Sequence, residues 1–298
     1  MHKKLCDNKI MPIVIILSFA ILVVSINGSI IEKSFAHDFS SDESVHFLTI
    51  VEKIRVESEL AVNSTGKNIQ SSAQIHANNA LKSYDSHTNE EISERNERIA
   101  NELNDTLNQL LEESTSNIDK SQIDKTVETI NAILEEAVST RIDEEQLNNS
   151  TIQALVFASI VDSALQNYGE AFNIGIDLTN VSNMNRHATI NDAATTIDHN
   201  NQSSEENRTQ MNILNSSSYE SALAFSEIAL NKFYNTILTS PLLSENDTKT
   251  QSYLKKLETG LHQLTNGIKN KEDPMEVMQI VHIQIHPNLQ VLFNLNLN

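Results

Sequence analysis

IQALVFASIVDSALQNY, residues 152–168, contains a single charged residue and neither glycine nor proline. Its apolar side chains recur at helical spacing but cover more than one face, which is typical of a helix enclosed by other helices. Asn149 and Ser150 just before it are residue types that cap helix N-termini, and the apolar pattern ends near Phe172. We therefore predict that residues 150–172 form the central helix of a bundle.

Amphipathic stretches lie on both sides of this helix in the sequence. Apolar residues spaced three and four apart predict helices over residues 40–63, 67–84, 88–111 and 121–141 before it, and over 219–240, 250–268 and 274–286 after it. The alternating spacing within 250–268 is the seam of a coiled-coil hairpin. Six glycines and four prolines in 298 residues disfavour a turn-rich β-sandwich or barrel. The predicted fold class is all-α, with the tail after Pro287 left open between a frayed helix and a short strand.

A change of composition at residues 176–212 predicts a domain boundary. This stretch is crowded with Asn, Ser and Thr, and its few apolar residues lack a helical period, so we expect a polar linker. The predicted organisation is an N-terminal element over 1–36, a helical bundle over 37–175, the linker over 176–212, and a smaller helical hairpin unit over 213–298.

An uncharged apolar run at residues 10–26 follows three lysines, which predicts a membrane-targeting element with its basic end in the cytoplasm. Two interpretations stay open. Residues 10–31 are long enough to remain in the membrane as a transmembrane anchor. Alternatively, Ser34 and Ala36 are small residues that suit a signal-peptidase site, which would secrete a chain starting at His37. Both interpretations place residues 37–298 outside the cytoplasm.

Charge, cysteine content and motifs exclude several classes of function. The chain has 21 Lys and Arg against 40 Asp and Glu, a net charge of −19, which repels the phosphates of a nucleic-acid partner. Cys6 is the single cysteine and precedes the apolar run, so we expect neither disulfides nor thiolate chemistry in the exported part. The sequence contains no GxSxG, GxGxxG, HExxH or Walker motif. We predict that the protein is not an enzyme and holds no organic cofactor.

N-glycosylation sequons are frequent in this asparagine-rich chain. A glycan would require an exported, accessible segment, and most of the sequons fall in predicted loops or helix ends. An asparagine-rich composition is by itself the alternative explanation for their number. The candidates in the exported part are Asn63, Asn104, Asn148, Asn149, Asn180, Asn201, Asn207, Asn215 and Asn246.

The histidines suggest the sharpest chemistry in the sequence. His282 and His286 are four residues apart, a spacing at which two imidazoles on one helix face can hold a metal, although His286 precedes Pro287 and is biased out of a helix. A chain starting at His37 would offer its α-amino group and imidazole to Cu(II), with His46 as a further ligand. The predicted metal ligands are His37, His46, His76, His282 and His286. His76 lies on an alanine-rich stripe and is better explained as a buried, hydrogen-bonded histidine.

Three segments carry a resemblance to known sequences. FLTIVEKIRVESELA (47–61), EEISERNERIANELNDTLNQL (90–110) and IVHIQIHP (280–287) resemble stretches of uncharacterised exported helical proteins of ammonia-oxidising archaea. The resemblance implies an archaeal envelope setting, in which N-glycosylation is common, and it implies no activity. The linker over 176–212 has no counterpart in it.

These observations predict an exported, acidic helical surface protein that acts as a structural or interaction module with a protein partner on the cell surface. The alternative hypothesis is extracytoplasmic binding of copper or another divalent metal through the histidines. Stoichiometric metal in the native protein would distinguish the second hypothesis from the first.

Overall fold

The computed structural model describes residues 41–297, apart from 68, 117–118, 181–211 and 244–246. The predicted N-terminal element over 1–36, His37, most of the predicted linker, and the sequons at Asn201, Asn207 and Asn246 lie outside these residues. The described part is helical and contains no strand, which confirms the all-α prediction for it. No helix within the described ranges has the length and apolar character needed to cross a membrane.

Every helix predicted from periodicity in the described part is present. The bounds are α1 Ser41–Gly66, α2 Gln70–Ser83, α3 Ser86–Thr115, α4 Lys120–Arg141, the single turn α5 Glu144–Leu147, α6 Ser150–Ala171, α7 Ser216–Lys232, α8 Thr248–Asn270, α9 Pro274–Gln279 and α10 His286–Phe293. Two π-helical segments continue α7 and α9, over Phe233–Ile237 and Ile280–Ile285 respectively.

Helices α1 and α6 share the centre of the bundle. α1 packs against α2, α3, α4, α6 and α7, and α6 packs against α1, α7, α9 and α10. Phe47 and Ile54 of α1 and Phe157 and Tyr168 of α6 are fully enclosed. Burial of a side chain of this size stabilises the fold by about 1.5–3 kcal/mol. The sequence correctly places α6 at the centre but does not predict that α1 shares this position.

The sequence predicts a bundle over 37–175 and a separate hairpin unit over 213–298, whereas the described residues of both ranges belong to one compact unit. α7 packs along α6, and residues from both ranges share one apolar core. The Tyr168 hydroxyl of α6 donates to the carbonyl of Glu272, 2.7 Å away, before α9. The amides of Leu214 and Asn215 both donate to the carbonyl of Ala171. Polar composition therefore marks a connection here, and not a boundary between two cores.

Acidic and asparagine side chains begin most of the helices. The carboxylate of Asp85 accepts from the Thr88 amide, and the side-chain oxygen of Asn149 accepts from the amides of residues 151 and 152. Asp119, Asn215, Asp247 and Asp273 cap α4, α7, α8 and α9 in the same way. Such caps satisfy amides that have no partner in the first helical turn. α3 consequently starts at Ser86, and not at the predicted Thr88.

Two irregularities were not predicted from the sequence. α3 is kinked at Asn96, whose backbone is extended at φ −157° and ψ 94°. The Asn96 side chain accepts from the amide of Ile99 at 3.4 Å, so it caps the second half of the helix. Ile69, predicted to lie on the buried stripe of the second helix, precedes α2 and is exposed.

The prediction that His286 and Pro287 end the last helix is wrong. The chain passes from α9 through the π-helical segment Ile280–Ile285 into α10. Pro287 falls at the first or second position of α10, where its fixed φ suits the start of a helix. Asn294 ends α10 in the left-handed conformation, at φ 52°. Residues that we left open between a frayed helix and a strand are thus helical as far as Phe293.

Candidate functional site

A polar group that joins three helices is centred on His76 of α2, which is fully buried, whereas the side chain of Glu220 in the same group is 30% exposed. Nδ1 of His76 lies 2.8 Å from Oε2 of Glu57 on α1, and Nε2 lies 3.0 Å from Oε2 of Glu220 on α7. Ser221 donates to Oε1 of Glu57 at 2.7 Å, and Ser72 donates to Oε2 of Glu220 at 2.8 Å. The imidazole therefore bridges three helices through two carboxylates. We call this set of five residues the His76 bridge.

Burial and charge act in opposite directions on His76. Burial lowers the pKa of the imidazole, but the hydrogen bonds and charges of Glu57 and then Glu220 outweigh it, so the pKa of His76 lies above its ordinary value. A protonated imidazole donates to both carboxylates at once, whereas a neutral one can donate to only one. His76 is fully buried and both ring nitrogens are engaged, so no lone pair faces a ligand site.

A second buried charge is also paired inside the bundle. The guanidinium of Arg141, at the end of α4, forms an ion pair with Glu91 of α3. The same guanidinium lies 4.2 Å from the centroid of the Phe47 ring, a distance at which a cation is attracted to the face of the ring. Like the His76 bridge, this arrangement joins helices and leaves no charged group directed at a cavity.

Of the predicted metal ligands within the described residues, His282 and His286 are the two that lie in contact. Their rings meet edge to face with centroids 5.4 Å apart. Nε2 of His282 lies 2.9 Å from the carbonyl of Leu178, and Nε2 of His286 lies 3.2 Å from Oδ1 of Asp162 on α6. Burial lowers the pKa of His282, which favours the neutral ring.

His46 lies elsewhere, exposed on α1, where it lines a groove of about 440 Å³ together with Lys53 and Asp162. Burial lowers the pKa of Lys53, although the charges of Asp162 and Glu170 oppose this effect. No group of three or more His, Cys, Asp or Glu side chains in the described ranges is arranged to hold a metal ion. The four predicted ligands that the structure describes, His46, His76, His282 and His286, therefore do not form a common site, and His37 lies outside the described residues.

A different surface feature lies between α8 and the C-terminal helical segment. This groove of about 370 Å³, which we call the α8–α10 groove, is lined by Tyr253, Lys255, Lys256, Thr259, Ile283, Gln284, Pro287, Asn288 and Val291. Ile283 is 60% exposed and Val291 53% exposed. Pro287 lies between them at a spacing of four residues, so the three form one apolar stripe along the helix.

A close helix contact lies beside this groove, next to its lining residues Thr259 and Gln284. A Cβ added to Gly260 of α8 would lie 3.0 Å from Cγ1 of Ile285 and 3.2 Å from Cβ of Gln284. Glycine therefore allows α8 to approach the π-helical segment more closely than any other residue would. The π-helical turn in turn sets the direction of Ile283, one turn before Pro287.

No known family model, curated protein or solved structure matches this chain. The resemblance to exported archaeal proteins stays a prediction, and the function has to be inferred from the arrangement of the side chains.

Sequence reasoning missed Glu57, Glu220 and the α8–α10 groove. A signal for Glu57 was present, because it interrupts the apolar stripe that runs through Ile50, Ile54 and Ala61 of α1. A carboxylate on a buried stripe requires a partner, and His76 was the buried histidine without one. Glu220 gave no such signal, because the predicted stripe of α7 starts at Tyr219, whereas the buried face runs through Ser221, Ala222, Phe225 and Ala229.

Proposed function

We propose that this chain is an exported helical interaction module that contacts a protein partner through the α8–α10 groove. The observation that carries the proposal is the apolar stripe within this groove, formed by exposed Ile283, half-buried Pro287 and exposed Val291. Exposed apolar side chains that cluster in a groove are typical of protein contact sites, whereas singly scattered ones are not. The apolar run at residues 10–26 and its basic flank support the extracytoplasmic location.

The charged groups inside the bundle also support this proposal, because they stabilise the fold and do not face a substrate. The His76 bridge and the pair of Arg141 with Glu91 use their charges within the bundle, so neither presents an acid, a base or a nucleophile to a substrate. Catalysis needs such groups within reach of a bound substrate. A structural scaffold that displays a contact surface needs only the stability that these pairs and the apolar core provide.

A binding assay with isolated envelopes of the host cell tests this proposal. Wild-type full-length protein is compared with the double variant Ile283→Glu, Val291→Glu, and with Ile75→Glu as the matched control. Ile75 is 45% exposed on α2, away from the groove. We expect saturable binding of the wild type, a loss of about tenfold or more in the double variant, and no loss in the control. Equal binding by all three proteins would contradict the proposal.

Metal binding is the second proposal, and the edge-to-face contact of the His282 and His286 rings favours it. Imidazoles are ligands that suit copper and zinc, but no third His, Cys, Asp or Glu of the described residues is arranged with this pair to hold a metal, so water would have to complete the coordination. Titration of the full-length protein with Cu(II) should show stoichiometric binding that is lost in the double variant His282→Ala, His286→Ala. Equal binding by wild type and double variant would remove these residues from any metal site.

A further inference from the structure

The α8–α10 groove differs in the charge of its lining from three other grooves on the described surface. Its lining carries Lys255 and Lys256 and no acidic residue. The groove that contains His46 is lined by two aspartates and one lysine. A third groove, between α1 and α4, is lined by two glutamates, one arginine and one lysine. A fourth, near Ser240, has no charged lining residue. The apolar stripe therefore coincides with a net positive lining.

The positive charge of the groove lining contrasts with the negative charge of most of the chain. Residues 37–247 carry 12 Lys and Arg against 34 Asp and Glu, whereas residues 248–298 carry five Lys against four acidic residues. An acidic partner is repelled by most of this molecule and attracted to the region of α8. Complementary potentials of this kind orient an encounter and select a partner.

The two lysines remain accessible to a partner. The Lys255 ammonium pairs with Glu258 at 2.8 Å, but its side chain is 76% exposed. The Lys256 ammonium lies 5.4 Å from the centroid of the Tyr253 ring. Exposed pairs of this kind contribute little to stability, so a carboxylate brought by a partner can compete for either lysine.

The length of the groove suits a short helix. Ile283, Pro287 and Val291 span nine residues of helix, or about 12 Å. That length accommodates about two turns of a partner helix, with α8 as the opposite wall. The side chains that would complement this surface are apolar residues at spacings of three and four, with Asp or Glu along the border that faces Lys255 and Lys256.

We propose that the α8–α10 groove binds an acidic amphipathic helix of a partner protein. This inference rests on the proposed function and adds the chemical class of the partner. Two copies of this chain would instead repel each other through their net charge of −19 each. The overall charge likewise disfavours an anionic lipid surface as the occupant.

Defined peptides test the proposal on full-length protein in neutral detergent. One peptide of about 18 residues, roughly 27 Å as a helix, has leucines at helical spacing and glutamates elsewhere. A second replaces every glutamate by lysine, and a third keeps the glutamates but scrambles the leucines. We expect the first peptide to bind at least about tenfold more tightly than the other two. Similar affinities for the first and second peptides would overturn the proposal.

Charge reversal provides the matched control. In the double variant Lys255→Glu, Lys256→Glu, the preference should invert, so that the lysine peptide binds more tightly than the glutamate peptide. The variant Ile283→Glu should lose both peptides, and Ile75→Glu should bind as the wild type does. Circular dichroism of each variant excludes misfolding as the cause. An unchanged preference after charge reversal would contradict the role of the lysines.

Two further measurements separate other occupants from the proposed one. Association of the wild type with anionic vesicles that is abolished by Ile283→Glu would favour a lipid surface and overturn the proposal. Dimers in light scattering that disappear in Ile283→Glu would favour a second copy and also overturn it. If envelope binding depends on Ile283 but no peptide binds, the inference about an acidic helix fails while the proposed function stands.

Discussion

Residues 37–247 and residues 248–298 share one core but differ in what they present to solvent. The first range carries 34 acidic residues against 12 basic ones and holds its two buried ion-pair systems at His76 and Arg141. The second range is almost neutral and leaves Ile283 and Val291 exposed beside two lysines. Under the proposed function these two ranges would have different roles within a single fold: the acidic part would provide stability and solubility, and the neutral part would provide the contact surface.

The largest expected effect on stability is that of His76→Ala, a substitution within the acidic range 37–247. His76→Ala removes the imidazole between Glu57 and Glu220 and leaves a buried carboxylate without its partner. Removing one partner of a buried ion pair costs about 3–5 kcal/mol. We expect the free energy of unfolding, measured with urea, to fall by that amount. The control His46→Ala alters an exposed residue of α1 and should change it by less than about 0.5 kcal/mol. Equal effects of the two changes would contradict the bridge.

A smaller loss of stability is expected for Gly260→Ala, at the contact between α8 and the π-helical segment. Gly260→Ala forces the new Cβ against Ile285, and such overpacking costs about 1–3 kcal/mol, of which the better helix propensity of alanine recovers about 1 kcal/mol. The control Gly175→Ala introduces a Cβ with nothing within 4 Å. A lower thermal midpoint for Gly260→Ala and an unchanged one for Gly175→Ala is the expected result. No difference would show that α8 and the π-helical segment are not closely packed.

The connection between the two ranges can be tested by Tyr168→Phe. This change removes the hydrogen bond from the hydroxyl to the carbonyl of Glu272, and leaves that carbonyl without its donor. The expected loss is about 1 kcal/mol, or roughly 2–4 °C in the thermal midpoint. The unfolding transition should remain single, because both ranges belong to one core. Two separate transitions would revive the division into two domains.

The smallest effect is a dependence of stability on pH. Because the pKa of His76 is raised in the folded protein, its contribution is complete below the unfolded-state pKa near 6.5 and is lost as pH rises through the folded-state pKa. We therefore expect the urea midpoint of the wild type to decrease, relative to that of His76→Gln, as the pH is raised above about 6.5. His282, whose pKa is lowered by burial, contributes the opposite slope in both proteins and cancels in this difference. Parallel pH profiles would contradict a charged His76.

Helix positions could be predicted from the sequence because spacing and capping are local properties. Asn149 and Asp273 mark the starts of α6 and α9, and the buried leucines of α8 follow the predicted seam. The failures concern relations between distant segments. α7 packs on α6 with Ala222 and Ala229 fully buried, and small residues give no apolar stripe strong enough to predict the buried face.

The candidate site was harder to predict than the helices. Histidines stand out in a sequence, and they directed attention to metal binding. The partners that decide their roles come from other elements: Glu57 from α1 and Glu220 from α7 for His76, and Leu178 and Asp162 for His282 and His286. The groove depends on a π-helical turn that continues a helix through Pro287, and the rule that a proline follows a helix end predicted the opposite.

Hydroxyl-radical footprinting of the full-length protein, with and without isolated host envelopes, tests the proposed contact surface. We predict that Tyr253, Ile283, Pro287 and Val291 lose reactivity when envelopes are present, while exposed Ile75 and the outer face of α3 keep theirs. Protection of α2 or α3 with an unchanged α8–α10 groove would contradict this prediction, and would place the contact surface on the acidic part of the molecule.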